Sequence, residues 1–168
     1  YFDNAKKRGA EILAEVIGYA MSSDASDIVM PSKQGAARAI KGALNDAQLN
    51  SEEVQYINAH GTGTAANDKT ECAAVADVFG RHADNLMISS TKSMHGHVIG
   101  GTGAIELLAC IMAVKDGIVA PTIGYEEADP ECALDVVPNK SREVKVDVAL
   151  SNAFAFGGLN AVLAIRFV

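Results

Sequence analysis

Val54-Gln55-Tyr56-Ile57-Asn58-Ala59-His60-Gly61-Thr62-Gly63-Thr64 is the stretch on which the reading of this chain turns. Its first four residues suit a short buried strand. A Gly-rich turn follows, opening on a histidine. Asp68-Lys69-Thr70-Glu71 then has the form of an N-cap with an acidic residue three positions on, and predicts a helix to about Phe79. Strand, turn and helix in that order form the unit of a layered α/β protein, and the turn is where such proteins keep groups that touch a substrate. A second strand, Leu86-Met87-Ile88-Ser89, leads into a similar turn, Lys92-Ser93-Met94-His95-Gly96-His97.

Outward from these two turns the same alternation continues. Ile12 to Tyr19 carries the β-branched and aromatic residues of a strand, and Ser22 to Pro31 reads as a polar loop. Ser32 suits an N-cap for a helix over Gly35 to Ala47, with Ala36, Ala39, Ile40, Ala43 and Leu44 on one face. Asn50 to Glu53 marks a turn. A long apolar helix is expected from about Gly100 to Lys115, stopping at Gly117, and Pro121 and Pro130 bracket an extended surface segment. Val144 to Ser151 and Ala161 to Phe167 read as two strands joined at Gly157-Gly158, most simply a hairpin. The order β-α-β-α-β-α-β-β predicts one α/β domain, with a mixed five-stranded sheet layered between helices.

Bulk properties narrow the function classes. The 168 residues suffice for one real core, and 49% hydrophobic with 21% charged residues is ordinary for a globular domain. Aromatics are only 5%, so that core must be mainly aliphatic. A net charge of −7 argues against nucleic acid, which needs a basic face. Lys6-Lys7-Arg8 is the one basic run, read as a solvated helix end or a contact for an acidic partner. No apolar run is long enough for a membrane span. Cys72, Cys110 and Cys132 are widely spaced without metal-type spacing, which predicts reduced thiols and a cytoplasmic location. The chain opens on Tyr1, from which residues removed upstream are expected.

Several chemistries compete for the histidine turns. Gly61-Thr62-Gly63-Thr64-Ala65-Ala66 fits a GxGxxA dinucleotide fingerprint, yet twenty residues past Gly61 stands Arg81, where a ribose-binding acid belongs. His95 and His97 with His60 and Cys72 suggest a metal site, but further ligands at recognisable spacing are missing and Lys92 would repel a dication. The histidines also suit buried loops satisfied by backbone carbonyls. The remaining reading is catalytic: two neutral imidazoles donating N–H bonds to one developing oxyanion, with Lys92 holding the nearby ring neutral. None of the cysteines has the flanking cation and helix N-terminus that would make it the matching nucleophile. The chain reads as half of an active site.

Three ordered motifs now carry a resemblance. Asn58-Ala59-His60-Gly61-Thr62-Gly63-Thr64, Lys92-Ser93-x-x-Gly96-His97 with Gly100 and Gly103, and Asn152-Ala153-Phe154-Ala155-Phe156-Gly157-Gly158-Leu159-Asn160 resemble the C-terminal half of a β-ketoacyl-acyl-carrier-protein synthase. The likeness covers nearly the whole chain. It implies a thiolase-like half-fold and a decarboxylative Claisen condensation of an acyl thioester with malonyl carrier protein. By that resemblance His60 and His97 stabilise the enolate, Lys92 sustains the electrostatics around His97, and Glu106 and Phe156 support the site. Thr62, Thr64 and Phe154 are implied to meet the pantetheine arm or substrate. No cofactor of the protein's own is implied, since substrates ride on the phosphopantetheine of the acyl carrier protein. The implied partners are that carrier, an N-terminal half bearing the nucleophilic cysteine, and a second copy in a homodimer. The fragment alone is then expected not to condense. Ala155 and Leu159 stand where glycine and threonine are usual, and with His95 they resemble a nodulation branch that makes unusual acyl chains for signalling lipids. The alternative is a non-catalytic partner similar to the chain-length factors of polyketide systems.

Overall fold

The computed structural model describes residues 1–168. A short helix, α1 (Phe2–Lys7), precedes β1 (Glu15–Ser23), α2 (Lys33–Asp46), β2 (Tyr56–Asn58), α3 (Ala65–Phe79), β3 (Met87–Ser89), α4 (Lys92–His95) and α5 (Thr102–Asp116). Two-residue strands β4 (Ile118–Val119) and β5 (Arg142–Glu143) pair with each other. The chain ends in β6 (Val148–Ala155) and β7 (Leu159–Arg166). The main sheet runs β1-β7-β6-β2-β3. Strands β6, β2 and β3 are parallel, and the β6–β7 hairpin and the β7–β1 pair are antiparallel. The expected mixed five-stranded sheet between helices is the one observed.

Strand alternation divides the core in two. Ile57, Ile88, Leu150 and Ala164 turn to the face covered by α2 and α3. Their neighbours Tyr56, Met87, Ala149 and Ile165 turn to the face covered by α5. All five residues expected on the inner face of α2 are buried, and the Ser32 hydroxyl accepts from the Gly35 N–H at 3.3 Å. A cap of this kind contributes about 1 kcal/mol. Helix α2 lies so close to β1 that a Cβ on Gly18 would sit 2.6 Å from the Ala43 carbonyl oxygen. Helix α5 ends at Gly117 in the left-handed conformation, at φ 67°.

Four expectations are corrected. The first strand is Glu15–Ser23 rather than Ile12–Tyr19, because its register is set by pairing with β7 and not by its own apolar run. Helix α3 is capped by Thr64, whose hydroxyl accepts from the Asn67 N–H at 3.4 Å, so Asp68 lies within the first turn. Strands β6 and β7 meet at a tighter turn than the gap between the expected strands allowed. The expectation of three reduced thiols also falls: Cys72 and Cys132 are joined as a disulfide and only Cys110 is free. The pair lies 60 residues apart in sequence, and the fold brings its Cα atoms to 5.4 Å, a normal bridging separation.

Candidate active site

The parallel strands β2 and β3 deliver their following turns to one end of the sheet, the carboxyl end, where open α/β sheets place their ligand sites. His60 leaves β2 there and Lys92 opens α4 just after β3. The His60 and His97 ring centroids stand 5.6 Å apart, edge to face at 83°. Phe154 of β6 packs 5.8 Å from His60 on another side. Three motifs far apart in sequence thus converge on one point.

Buried Glu71 builds the first turn from below, a role the sequence reading missed. One carboxylate oxygen accepts the His60 backbone N–H and the other that of Gly61, both at 2.9 Å. Asn152 of β6 and Asn67 donate their side-chain amides to the same group. Burial pushes the Glu71 carboxyl pKa up, and these four donors oppose the shift. Its place three residues into a capping-like pattern disguised it. A buried carboxylate about two helical turns after a Gly turn is a signal only once the turn is known to fold back onto the helix. The Gly61 backbone, at φ 42°, lies so close to Ser90 that a Cβ would meet the serine at 2.5 Å.

The His97 imidazole is set as a donor by its surroundings, and the His60 ring is held neutral. The His97 Nδ1 accepts the Ile99 backbone N–H at 3.2 Å and lies 3.0 Å from the Thr102 hydroxyl. A neutral ring whose Nδ1 accepts carries its proton on Nε2. The Thr102 oxygen in turn accepts the Val98 N–H at 2.8 Å, leaving its own hydrogen for His97. The His60 pKa is pushed down to about 3, first by burial and then by the charge of Lys92. A ring titration followed by nitrogen NMR is therefore expected to show His60 neutral throughout pH 5–8. Protonation with a midpoint near the usual 6.5 would contradict this environment.

Lys92 is buried and paired through Nζ with Glu106 Oε1, and Glu106 is fully buried. Burial raises the Glu106 carboxyl pKa while Lys92 opposes the rise. The second Glu106 oxygen, Oε2, and the side-chain amide oxygen of Asn152, Oδ1, are buried without a partner.

Lys92, Ser93, His97, Gly61 and Thr62 line a cavity of about 520 Å³, which also reaches Cys72, Cys132 and Tyr125. His60 is outside its lining and meets the His97 ring instead. The two threonines separate in role. Thr62 faces the cavity, whereas Thr64 caps α3 and its hydroxyl lies 2.9 Å from that of Thr62. The two phenylalanines also differ. Phe154 is buried against His60, while Phe156 is 78% exposed at the hairpin tip.

No thiol in the chain is placed to attack. The Cys110 Sγ lies 3.6 Å from the Leu150 carbonyl in a dry setting that pushes its pKa up to about 12. The other two cysteines are bonded to each other. Nor do His, Cys, Asp and Glu side chains gather in threes to hold a metal ion.

Residues 13–126 match the model of the β-ketoacyl synthase C-terminal domain, and the chain belongs to that family. Its half-sheet is the thiolase-like one of solved ketosynthases. The chain superposes with a TM-score of 0.96 on the ishigamide ketosynthase/chain length factor, at 46% identity over 99% of this chain and 41% of that one. A β-ketoacyl synthase from Burkholderia phymatum gives 0.94 at 41% identity, covering 99% and 40%. Among curated proteins, Nodulation protein E of Rhizobium sp. (strain N33) is 54% identical over 99% of this chain and 42% of its own length. The 3-oxoacyl-[acyl-carrier-protein] synthase 2 of Synechocystis sp. is 53% identical, over 98% and 40%. The chain therefore spans about two-fifths of the relatives it matches.

Proposed function

We propose that this chain is the decarboxylating half of a 3-oxoacyl-acyl-carrier-protein synthase, working within a longer protein that supplies a cysteine nucleophile. The observation that carries the reading is a pair of neutral imidazoles 5.6 Å apart, with His97 bearing its proton on Nε2 and His60 making no ring hydrogen bond within the chain. Such donors suit an oxygen that gains charge. With the malonyl thioester carbonyl between them, loss of carbon dioxide leaves the C–C bonding pair on the enolate, its negative oxygen held by the two N–H groups. The enolate carbon then attacks the acyl thioester on the cysteine; the new C–C bond forms as the C–S bond breaks, releasing thiolate. Lys92 helps keep the His60 ring neutral, Glu106 holds Lys92, and Thr62 and Phe154 border the path of the pantetheine arm. Phe156, exposed beside the Gly157-Gly158 turn, acts as a gate.

The partners follow from the same reading. A relative in the ketosynthase group was solved as an acyl-carrier protein in complex with its ketosynthase, and an acyl carrier protein is the partner proposed here. The outer face of α5 leaves Leu108 and Met112, one turn apart, 60% and 52% exposed, an apolar stripe suited to the rest of the longer chain. Fatty acid or nodulation-signal acyl chains are the products proposed, and a homodimer and the cytoplasm the setting. No helix is long and apolar enough to cross a membrane.

The second reading, a chain-length factor, draws on the paired naming of one structural relative. The intact histidine pair favours the first. The test is carbon dioxide release from malonyl carrier protein by the full-length protein, with and without an acyl donor. Release coupled to a ketoacyl product supports the proposal. Release without product overturns the condensing role, and no release overturns the first reading and supports the non-catalytic partner.

A further inference from the structure

One titratable side chain in the site has no part in the chemistry above. His95, half-buried at the end of α4, sits within the second turn, two residues before His97. Its Nδ1 lies 2.7 Å from the Gly96 carbonyl oxygen, which can only accept, so Nδ1 carries a proton. Its Nε2 lies 3.1 Å from the hydroxyl of Thr91, a residue 1% exposed. In the neutral ring Nε2 is then the acceptor and Thr91 the donor. The Thr91 hydroxyl also meets the Asn58 side chain, 3.1 Å from its Nδ2 and 3.4 Å from its Oδ1, and Asn58 is fully buried at the end of β2, two residues before His60.

The bonds form one continuous chain. Asn58 is bonded to Thr91, Thr91 to His95, and His95 donates to the carbonyl of Gly96, the residue before His97. We infer that His95 is a positioning residue, a clamp joining the His60 turn to the His97 turn and thereby fixing the separation of the two imidazoles. Resting on the decarboxylase reading, it assigns specific work to a side chain that never meets the substrate. Two rings that must address one oxygen need a fixed spacing, and nothing in either Gly-rich turn alone supplies it. A misplacement of about 1 Å at a reacting centre can cost about a hundredfold in rate. The Gly96 carbonyl calls for a proton on His95 Nδ1, whereas the His97 Nδ1 accepts the Ile99 N–H.

The test uses the full-length protein with His95→Phe, which keeps a ring but removes both nitrogens, and His95→Gln, whose amide can donate to Gly96 and accept from Thr91. Malonyl decarboxylation and acylation of the nucleophilic cysteine are measured side by side. The expected result for His95→Phe is a fall of about tenfold or more in the decarboxylation kcat, with little change in KM and unchanged cysteine acylation, and His95→Gln restores most of the loss. Nitrogen NMR of the wild-type rings should show His95 carrying a proton on Nδ1. Unimpaired decarboxylation by His95→Phe, equal loss of both activities, no rescue by glutamine, or the opposite tautomer would each overturn the clamp. A wild-type protein that releases no carbon dioxide would instead overturn the decarboxylase reading, and with it the work given to His95. The tautomer, read without any substrate, tells the two failures apart.

Discussion

Replacing Lys92 by methionine is expected to destabilise the fold by about 3–5 kcal/mol, the usual cost of breaking a buried ion pair from one side. Glu106 is fully buried and Lys92 is its ionic partner, so removing the cation leaves a carboxylate with one oxygen already unpartnered. The site can relieve this by protonating Glu106, whose pKa is already raised by burial, which favours the lower end of that range near neutral pH. For a chain of this size the loss corresponds to a fall of about 6–20 °C in Tm. Chemical denaturation of wild type, Lys92→Met and Lys92→Met/Glu106→Leu measures it. The double variant should recover most of the loss, because two apolar residues often replace a buried pair without penalty. A single variant as stable as wild type would show that the pair carries no weight.

The second large effect falls on rate. His60→Ala in the full-length protein is expected to slow decarboxylation of the malonyl thioester by about 10²–10³, the cost of one lost donor to an oxyanion. His97→Ala should cost a similar factor. The double variant should lose much less than the product of the two, since a pair that addresses one oxygen acts as a unit. Carbon dioxide release under saturating substrate is the readout. Rates within a few-fold of wild type for His60→Ala would remove the histidine pair from the mechanism. Full additivity would mean that the rings act at separate points.

These two expectations draw on different depths of information. His60, Lys92 and His97 stand out in the linear chain because each follows a short strand and lies among glycines, a local arrangement that spacing can express. The histidines' surroundings do not show in the same way. Glu71 reads as part of a helix start, yet its main work is to hold the backbone of a turn ten residues upstream. Asn152 joins the same carboxylate from a strand 81 residues further along. His95 looks like a neighbour of the motif until the Thr91 and Asn58 contacts are known. The cysteines show the limit most sharply. Spacing suggested three independent thiols, and only the approach of the 130s segment to α3 pairs two of them.

What the sequence by itself determined is what depends on short-range order. The helix over α2 follows from its apolar period and the Ser32 cap, the stop of α5 follows from a glycine able to adopt positive φ, and the final hairpin follows from its paired glycines. Its ordered motifs were also enough to point to the family. The tertiary structure alone decided the strand register of β1, the pairing of Cys72 with Cys132, which phenylalanine lies against His60, and the 5.6 Å spacing of the imidazoles. The physical reason is range. Caps, turns and amphipathic faces are fixed by residues within about four positions of one another, whereas a register or a buried polar network is fixed by partners that meet only after the sheet has closed.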